Sequence, residues 1–394
     1  MQTLEQYIPF ARKYRPRKFA ELYGQEVLIK VLQHAIVSFR LAQSYLLTGI
    51  RGVGKTTSAR IIAKTINCTA PVITDINVEP CDQCKNCQSF NEHRHPDIIE
   101  IDAASKTSVD DIRDILESSE YRPLLGIYKV FIIDEVHMLS KSAFNALLKV
   151  LEEPPAHIVF IFATTEVQKI PLTIVSRCQR YDLRRLRFDE ILILLGEIAK
   201  NERINIELAA LKIIAHQSEG SARDAVALLD QAFCYSKTLV TVITAKMIND
   251  MLGLVETDTV IAFFEHLISR NSQAAIAEVN KVYSSSNSLE NFVESICNFI
   301  GYLNKSKLLV SYHNPVYESY SDRIYEILSK TKLSQLSILW QIYSNGMLEI
   351  KQAHDQLIST EMLVIKSIYA QTLPIIDEVE ELIQMAPPRQ CSNQ

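Results

Sequence analysis

The stretch Gly49-Ile50-Arg51-Gly52-Val53-Gly54-Lys55-Thr56 decides the fold. It fits the pattern G-x-x-x-x-G-K-[ST] of a phosphate-binding loop. The apolar run Tyr45-Leu46-Leu47 before it is typical of a short buried strand, and residues 56–66 after it have the apolar spacing of a helix. Because strand, glycine-rich turn and helix follow one another in this order, the sequence predicts that the loop binds a nucleoside triphosphate.

Each residue type in this loop has a chemical role in binding phosphate. Glycines at 49, 52 and 54 allow backbone N–H groups to turn inward around phosphate oxygens. Lys55 would place a positive charge on the β- and γ-phosphates, and the Thr56 hydroxyl would be a ligand to Mg²⁺. The helix that begins at Lys55 adds its positive dipole end. The predicted nucleotide-binding residues are Gly49, Ile50, Arg51, Gly52, Val53, Gly54, Lys55, Thr56 and Thr57.

A second motif, Lys129-Val130-Phe131-Ile132-Ile133-Asp134-Glu135, reads as an apolar strand that ends in two acids. Such an ending is common by itself, but about 80 residues after a phosphate loop it is specific. We expect Asp134 to hold Mg²⁺ through water and Glu135 to orient or deprotonate the attacking water.

Composition limits the remaining possibilities. At 394 residues the chain is long enough for two or three domains, and 47% hydrophobic with 22% charged residues is ordinary for a globular protein. The first residues show no secretory signal, and no apolar stretch approaches the ~18 residues of a membrane span. We therefore expect a cytoplasmic protein without membrane contact. The net charge of −5 restricts any DNA contact to local basic patches.

Four of the eight cysteines have the spacing of a metal site, C-x12-C-x2-C-x2-C. In a reducing compartment such clustering indicates metal rather than disulfides. Four thiolates suit tetrahedral Zn²⁺ in a closed, structural site. An iron–sulfur cluster is an open alternative, although the further cysteine and proline of the common motif are missing. His93 and His95 could replace one thiol, but are expected to be surface residues. The predicted ligands are Cys68, Cys81, Cys84 and Cys87.

Three further short motifs complete an ordered series with those above. They are Leu-Glu-Glu-Pro-Pro at 151–155, Ala-Thr-Thr-Glu at 163–166 and Ser-Arg-Cys at 176–178. The stretch Lys13-Tyr14-Arg15-Pro16 with Gly24-Gln25 precedes them. This series closely resembles the gamma/tau family of bacterial DNA polymerase III, the AAA+ ATPases of the sliding-clamp loader. The resemblance covers residues ~10–375 and is most specific up to residue 231.

The resemblance implies roles for three further residues. The family's threonine that senses the γ-phosphate corresponds to Thr165, and the arginine that reaches a neighbouring subunit's ATP corresponds to Arg177. The family has a second sensor motif, whose arginine contacts the phosphates of the nucleotide bound to the same subunit. This motif corresponds to Gly220-Ser221-Ala222-Arg223-Asp224, so that Arg223 would make this contact. The N-terminal segment would lie against the adenine and ribose.

The resemblance also implies an architecture. We expect an α/β AAA+ P-loop NTPase domain with a parallel sheet at 1–184, with its zinc insert at 68–87. A helical lid would follow at 185–248, with helices near 189–202, 207–218 and 221–235. An all-helical collar for oligomerisation would occupy 249–373, and a disordered tail 374–394. Tau forms continue further, so the chain looks like the shorter gamma form.

The function implied is that of a clamp-loader ATPase, with ATP, Mg²⁺ and Zn²⁺ as cofactors. Its partners would be the other loader subunits in a pentameric ring, the sliding clamp, and primed DNA held through phosphates without sequence specificity. ATP binding and hydrolysis would open the clamp and load it. A DNA-directed DNA polymerase (transferase) activity would belong to the holoenzyme, since nucleotidyl transfer needs carboxylates holding two metals.

Two alternatives remain from the sequence. Another AAA+ DNA motor, of the branch-migration type, would lack the four-cysteine insert and Ser-Arg-Cys. An ATP-gated scaffold that binds without turnover would lack Lys55 or Glu135, and both are present.

Overall fold

The structure is a computed structural model that describes residues 7–74, 77–105, 112, 117–236, 242–285, 288–309, 312, 314 and 316–371. The predicted tail at 374–394 lies outside the described residues. The chain forms two compact units, Met1–Ala245 and Lys246–Gln394. The finer division into three domains and a tail stays a prediction.

The first unit is built on a five-stranded parallel sheet with the strand order β4-β5-β6-β1-β7. A separate antiparallel hairpin, β2–β3, lies in the cysteine region. The strands are β1 Ser44–Thr48, β2 Val72–Thr74, β3 Asn77–Glu79, β4 Ile98–Asp102, β5 Lys129–Asp134, β6 Ile158–Thr164 and β7 Gln179–Asp182. The predicted α/β class with a parallel sheet is confirmed.

Strand register brings the functional loops to one edge of the sheet. Thr48 at the end of β1 lies opposite Thr164 at the end of β6, and Asp102 opposite Asp134. Parallel strands present their carboxyl ends on the same side, which is where ligands bind in open α/β sheets. The residues that follow β1, β5 and β6 therefore converge.

Both faces of the central strands are buried, because their side chains alternate between two apolar layers. Phe131 and Ile133 pack with Phe144 on one face, whereas Val130 and Ile132 pack with Ile62 on the other. The α-helices described in the first unit before the end of β7 are α1 Phe10–Lys13, α2 Glu26–Val37, α3 Lys55–Ile66, α4 Lys85–Asn91, α5 Lys141–Glu152 and α6 Leu172–Val175.

Three further helices of this unit follow β7. They are α7 Phe188–Asn201, α8 Leu208–Gln217 and α9 Ala222–Tyr235, each within one residue of the predicted lid helices. Ser221 caps the last of them, since its Oγ accepts a hydrogen bond from Asp224 N at 3.3 Å.

The second unit is helical throughout its described residues, as predicted. Its helices are α10 Ala245–Leu252, α11 Thr257–Ile268, α12 Ser272–Ser284, α13 Leu289–Leu308, α14 Ser321–Lys330, α15 Leu333–Gln352 and α16 Gln356–Ala370. Its core contains edge-to-face pairs such as Phe263 on Phe292 and Phe264 on Phe299. Across the described part of both units, no helix is long and apolar enough to cross a membrane.

Candidate nucleotide-binding site

The phosphate loop takes its shape from three glycines. Gly49, Gly52 and Gly54 have φ angles of +145°, +79° and +102°, in the region that other residues rarely adopt. The loop joins β1 to α3 and wraps around the buried side chain of Lys55. The Lys55 Nζ donates hydrogen bonds to the carbonyl oxygens of Gly49 at 3.0 Å and Ile50 at 2.9 Å.

Charges around Lys55 offset the cost of its burial. Desolvation lowers the pKa of Lys55, while the nearby carboxylates of Glu135 and Asp134 raise it. The Lys55 ammonium group is therefore held as a cation among loop carbonyls and carboxylates. A phosphate would be a stronger anionic partner for it.

A cavity of about 1150 Å³ opens beside the loop. Its polar side combines the loop with residues from the ends of three other strands. Its other side is formed by the N-terminal segment and the lid, which contribute apolar residues together with arginines. The lining residues include Pro9, Arg12, Tyr14, Arg15, Pro16, Leu22, Tyr23, Ile50–Thr57, Asp102, Asp134, Glu135, Thr165, Leu186, Leu194, Arg223 and Val226. A cavity with an anion-binding loop at one end and a mixed wall of apolar and basic residues at the other matches a nucleotide in size and character.

The predicted magnesium ligands lie next to each other. The Thr56 Oγ1 donates a hydrogen bond to Asp134 Oδ2 at 2.6 Å, and Asp134 Oδ1 accepts one from Glu135 N at 3.0 Å. Hydroxyl and carboxylate oxygens at one point are the donor set that Mg²⁺ prefers. The residues present therefore fit this metal.

Glu135 is held in an uncommon backbone conformation, with φ +47° and ψ +43°, at the start of a short 3₁₀ turn, Val136–Met138. The Thr165 hydroxyl donates to Glu135 Oε2 at 3.1 Å. The structure thus brings Thr165 to the acid pair although 30 residues separate them in the chain.

His137 also reaches Glu135 and was not predicted as a site residue. Its Nδ1 lies 3.0 Å from Thr164 Oγ1 and 3.4 Å from Glu135 Oε2, and its Nε2 lies 3.5 Å from Glu166 Oε1. Its side chain is buried. The sequence placed His137 near Glu135, but gave no sign that its ring faces the carboxylate.

Arg223 lines the cavity from the lid, and the phosphate loop touches the lid directly. The Arg223 N–H donates to Gly52 O at 3.3 Å. A Cβ atom on Gly52 would lie 1.9 Å from Ser221 Oγ. Gly52 is therefore required both for its backbone angle and for this close approach.

The N-terminal segment lines the cavity, where the resemblance placed it, although its individual residues were not named in the predicted site. Arg15 Nε donates to Thr57 Oγ1 at 3.2 Å, and burial lowers the pKa of Arg15. Phe10 N donates to Asp230 Oδ2 at 3.0 Å, and the Phe10 ring stacks on Phe233 of α9. The segment thus connects the lid to the nucleotide cavity.

Arg177 lies apart from this cavity. Its guanidinium donates to Thr173 O at 2.7 Å and pairs with Glu152. It follows α6 and is partly exposed. Of the predicted catalytic side chains, Arg177 is the one that the structure does not bring to the nucleotide cavity.

The four cysteines converge as predicted. All four sulfur atoms lie within 4.8 Å of one another, with 3.9 Å between Cys68 and Cys84 and 4.0 Å between Cys81 and Cys87. Tetrahedral Zn–S bonds of about 2.3 Å require sulfurs about 3.8 Å apart. Neither of the two candidate histidines belongs to this cluster. The donor set and its spacing fit Zn²⁺.

Backbone groups donate hydrogen bonds to the sulfurs and favour the thiolate form of Cys84, whereas burial raises the pKa of Cys68 and of Cys87. The N–H groups of residues 81, 84 and 87 donate to the sulfurs of Cys68, Cys81 and Cys84 at 3.2–3.4 Å. Burial raises the pKa of Cys84, but hydrogen bonds from Thr69 and from Cys87 N lower it to about 5.

These features define a class. A parallel sheet whose first strand runs into a phosphate loop, with an Asp-Glu pair on a neighbouring strand and a helical lid over the loop, is an AAA+ P-loop nucleotide-binding protein. Three family models match the chain. They are the delta subunit of DNA polymerase III at residues 24–187, the ATPase lid domain of the DNA polymerase III clamp loader subunit at 190–238, and domain III of DNA polymerase III subunits gamma and tau at 243–382.

Relatives agree with these models. The gamma subunit of DNA polymerase III from Buchnera aphidicola subsp. Acyrthosiphon pisum is 36% identical over 365 residues, which are 92% of this chain and 99% of the relative. The tau subunit from Salmonella typhimurium is 35% identical over 362 residues, 92% of this chain and 55% of the relative. The chain belongs to the DNA polymerase III gamma/tau family, and the resemblance seen in the sequence is confirmed. It spans about half the length of the Salmonella relative.

The chain is also similar to solved structures, among them a branch-migration motor. The RuvB Holliday junction branch migration motor of Thermotoga maritima is 22% identical, with a TM-score of 0.47, over 71% of this chain and 90% of that chain. A similarity of this size carries no argument about function.

Proposed function

We propose that this chain is an ATPase subunit of the clamp-loader complex of DNA polymerase III. In this role, ATP binding and hydrolysis drive opening of a sliding clamp and its loading onto primed DNA. The observation that carries the proposal is the meeting of Lys55, Thr56, Asp134 and Glu135 at one cavity, with Arg177 outside it.

Binding of ATP would follow from the contacts at the cavity. Lys55 would exchange its two loop carbonyls for oxygens of the β- and γ-phosphates, which are stronger partners because they are charged. The phosphate loop N–H groups, Arg223 and the N-terminus of α3 would hold the remaining phosphate charge. The base would lie between the N-terminal segment and the lid, against apolar residues such as Leu22 and Val226.

Hydrolysis would be assigned to the acid pair. When bound by Thr56 and Asp134, Mg²⁺ supplies charge neutralisation on the phosphates. Glu135 would orient and deprotonate the water, and Thr165 would exchange its bond to Glu135 for one to the γ-phosphate or the water. A scaffold that binds without turnover has no need of this arrangement, which favours an active ATPase.

Arg177 would act on a neighbouring subunit's ATP. Its position away from its own cavity and its partial exposure support this role. An arginine presented in this way stabilises the transition-state charge, an effect of roughly 10³–10⁵ in rate in GTPases that use one.

Assembly into a ring of five subunits would require apolar surfaces, and the second unit has one. Ile358, Met362, Ile365 and Tyr369 follow each other on α16 at spacings of four, three and four residues and are exposed. A stripe at this spacing is typical of a helix seam that packs on another helix. We assign this stripe to contacts with other loader subunits.

The remaining partners would be the clamp and DNA. Binding of primed DNA would use phosphate contacts in the assembled ring, and should weaken steeply between ~50 and 200 mM salt. We place the complex at the replisome in the cytoplasm. Zn²⁺ in the cysteine cluster would be structural, because all four positions are filled by protein.

The experiment that tests the proposal mixes mutant subunits in the reconstituted loader. Arg177→Ala subunits should bind ATP normally, but the loader built from them should lose DNA- and clamp-stimulated hydrolysis by about 10³-fold or more. Mixing them with Lys55→Ala subunits should restore activity only at interfaces that pair an intact Arg177 with an intact Lys55.

A matched control is Arg180→Ala, which removes an arginine paired with Asp182 on β7, a few residues away. It should leave stimulated hydrolysis within twofold of the wild type. Activity that tracks the number of unmutated subunits, rather than such interfaces, would show that Arg177 does not act in trans.

A further inference from the structure

We propose that the cysteine insert supports one wall of the nucleotide cavity through Glu79, so that zinc occupancy and nucleotide affinity are linked. This inference rests on the proposed binding of ATP at the phosphate loop. It assigns to Glu79 the role of a positioning residue, because its side chain acts on the cavity through the N-terminal segment.

Glu79 ends strand β3 of the insert hairpin, and its carboxylate reaches across to the N-terminal segment. Its two oxygens each accept one hydrogen bond, Oε2 from Phe19 N and Oε1 from Ala20 N, both at 2.8 Å. These N–H groups begin a short 3₁₀ helix, Phe19–Glu21, which has no other side-chain cap. The N–H groups at the start of a helix lack partners within it, so this carboxylate satisfies donors that are otherwise unpaired.

The segment held by Glu79 is a wall of the cavity. Tyr14, Arg15 and Pro16 line the cavity before the 3₁₀ helix. Glu21 lines it from the last position of the helix, and Leu22 and Tyr23 line it after. Between them, Phe19 is buried in the same apolar layer as the residues of α3. A shift of the 3₁₀ helix would therefore move cavity residues on both sides of it.

The hairpin is tied to the cysteine cluster at close range. Cys81 follows Glu79 by two residues, and Val78 is fully buried and accepts a hydrogen bond through its carbonyl from Gln33 Nε2 at 3.2 Å. Asp82 pairs with Lys18, which directly precedes Phe19, at 3.5 Å. The insert thus contacts the N-terminal segment at two neighbouring points, one on each side of a zinc ligand.

The other end of the insert also leads to the nucleotide site. Cys68 comes two residues after the end of α3, and α3 begins at Lys55 of the phosphate loop. Zinc bound to Cys68 and Cys81 would fix the hairpin relative to α3. Without the metal, the hairpin would lose this attachment and would be held by the ion pair of Lys64 with Asp82 and by the hydrogen bond of Gln33 to Val78, so that Glu79 would be less precisely placed.

The test uses the full chain and the isosteric substitution Glu79→Gln, which cannot accept both hydrogen bonds. Affinity is measured by equilibrium titration with a fluorescent ATP analogue, and zinc by metal analysis. We expect affinity to fall by about 10-fold, because side chains of the cavity wall that lose their position must be ordered again when the nucleotide binds, with zinc content unchanged. In the assembled loader, KM for ATP should rise while kcat stays within twofold.

Two comparisons make the result specific. Glu92→Gln removes the same charge from an exposed position in the cysteine region, where Glu92 pairs with Arg94 at 3.8 Å, and should bind the analogue like the wild type. Removal of zinc by a chelator, with folding checked by circular dichroism, should weaken binding by the wild type to the level of Glu79→Gln. In Glu79→Gln it should add little, because coupled changes are not additive.

Wild-type affinity in Glu79→Gln, or in folded zinc-free protein, would overturn the inference. The inference would also be overturned if affinity in zinc-free Glu79→Gln fell by the product of two factors, the one measured for the substitution alone and the one measured for zinc removal alone. Failure of the wild-type chain to bind the analogue would instead refute the proposed function, so the two failures are distinguishable.

Discussion

The phosphate loop and the cysteine cluster lie at the two ends of one helix and are built in opposite ways. Helix α3 begins at Lys55 and ends at Ile66, two residues before Cys68. The loop at its start faces a cavity of about 1150 Å³, whereas the four sulfurs past its end lie within 4.8 Å of one another. One site is open to a ligand of nucleotide size, and the other has the dimensions to hold a single ion.

The difference shows how one protein can hold one ligand reversibly and another permanently. Lys55 donates to carbonyls of its own loop, and these weak bonds can be replaced when a phosphate enters. The cysteine sulfurs accept hydrogen bonds from backbone N–H groups of the same loop, and these bonds are compatible with metal binding by the same sulfurs. We therefore expect the loop to release its ligand in each cycle and the cluster to keep its own.

The largest expected effect is that of Lys55→Ala, which removes the positive charge proposed to bind the β- and γ-phosphates. Loss of one partner of a buried charge pair costs about 2–5 kcal/mol, or between roughly 30-fold and 4000-fold in affinity. Titration with ATP measures this loss. Zinc content should stay at one ion per chain, since the cluster does not contact Lys55. ATP affinity within twofold of the wild type would contradict the assignment of the loop.

A second substitution, Cys84→Ser, should act on the other end of α3. Structural zinc contributes about 10–16 kcal/mol in isolated finger peptides, so loss of one ligand should remove the metal and loosen residues 66–95. Metal analysis and hydrogen exchange check both points. Nucleotide binding should weaken less than in Lys55→Ala.

The exposed Cys234 provides the control for this change. Cys234→Ser should retain zinc and stability, because Cys234 lies outside the cluster. Iron in the purified protein, or no metal in undamaged protein, would refute the zinc site.

A smaller effect separates two glycines of the same loop. Both Gly52 and Gly54 have positive φ, so alanine at either costs about 1–2 kcal/mol of backbone strain. A Cβ on Gly52 would also meet Ser221 Oγ at 1.9 Å, whereas a Cβ on Gly54 has no atom within 4 Å. We expect Gly52→Ala to be less stable by a further ~1–3 kcal/mol of overpacking in nucleotide-free unfolding experiments. Equal losses for the two variants would show that the lid does not rest on Gly52.

Motifs whose residues lie near one another in the chain could be predicted from the sequence. The phosphate loop, the Asp-Glu pair and the cysteines each have a spacing that local geometry fixes, so the structure placed them as predicted. The helices α7, α8 and α9 were also accessible, because their apolar faces repeat at helical spacing.

Contacts between distant parts of the chain were not accessible. Glu79 binds Phe19 and Ala20 across about 60 residues, and Ser221 meets Gly52 across more than 160. No periodicity or motif marks such pairs, since they depend on how the hairpin and the lid pack against the sheet. The contact of His137 with Glu135 was missed for a related reason: a 3₁₀ turn, rather than an extended strand, points the ring back.

The central claim is that this cavity binds ATP and that Glu135 turns it over. Its most direct test is Glu135→Gln in the reconstituted loader, with ATP affinity and ATP hydrolysis measured on the same preparation. We predict affinity within twofold of the wild type, because Glu135 lies beyond the phosphate loop, and hydrolysis slower by roughly 10²–10⁴-fold, as loss of a general base commonly gives. Hydrolysis at the wild-type rate in Glu135→Gln would contradict the account.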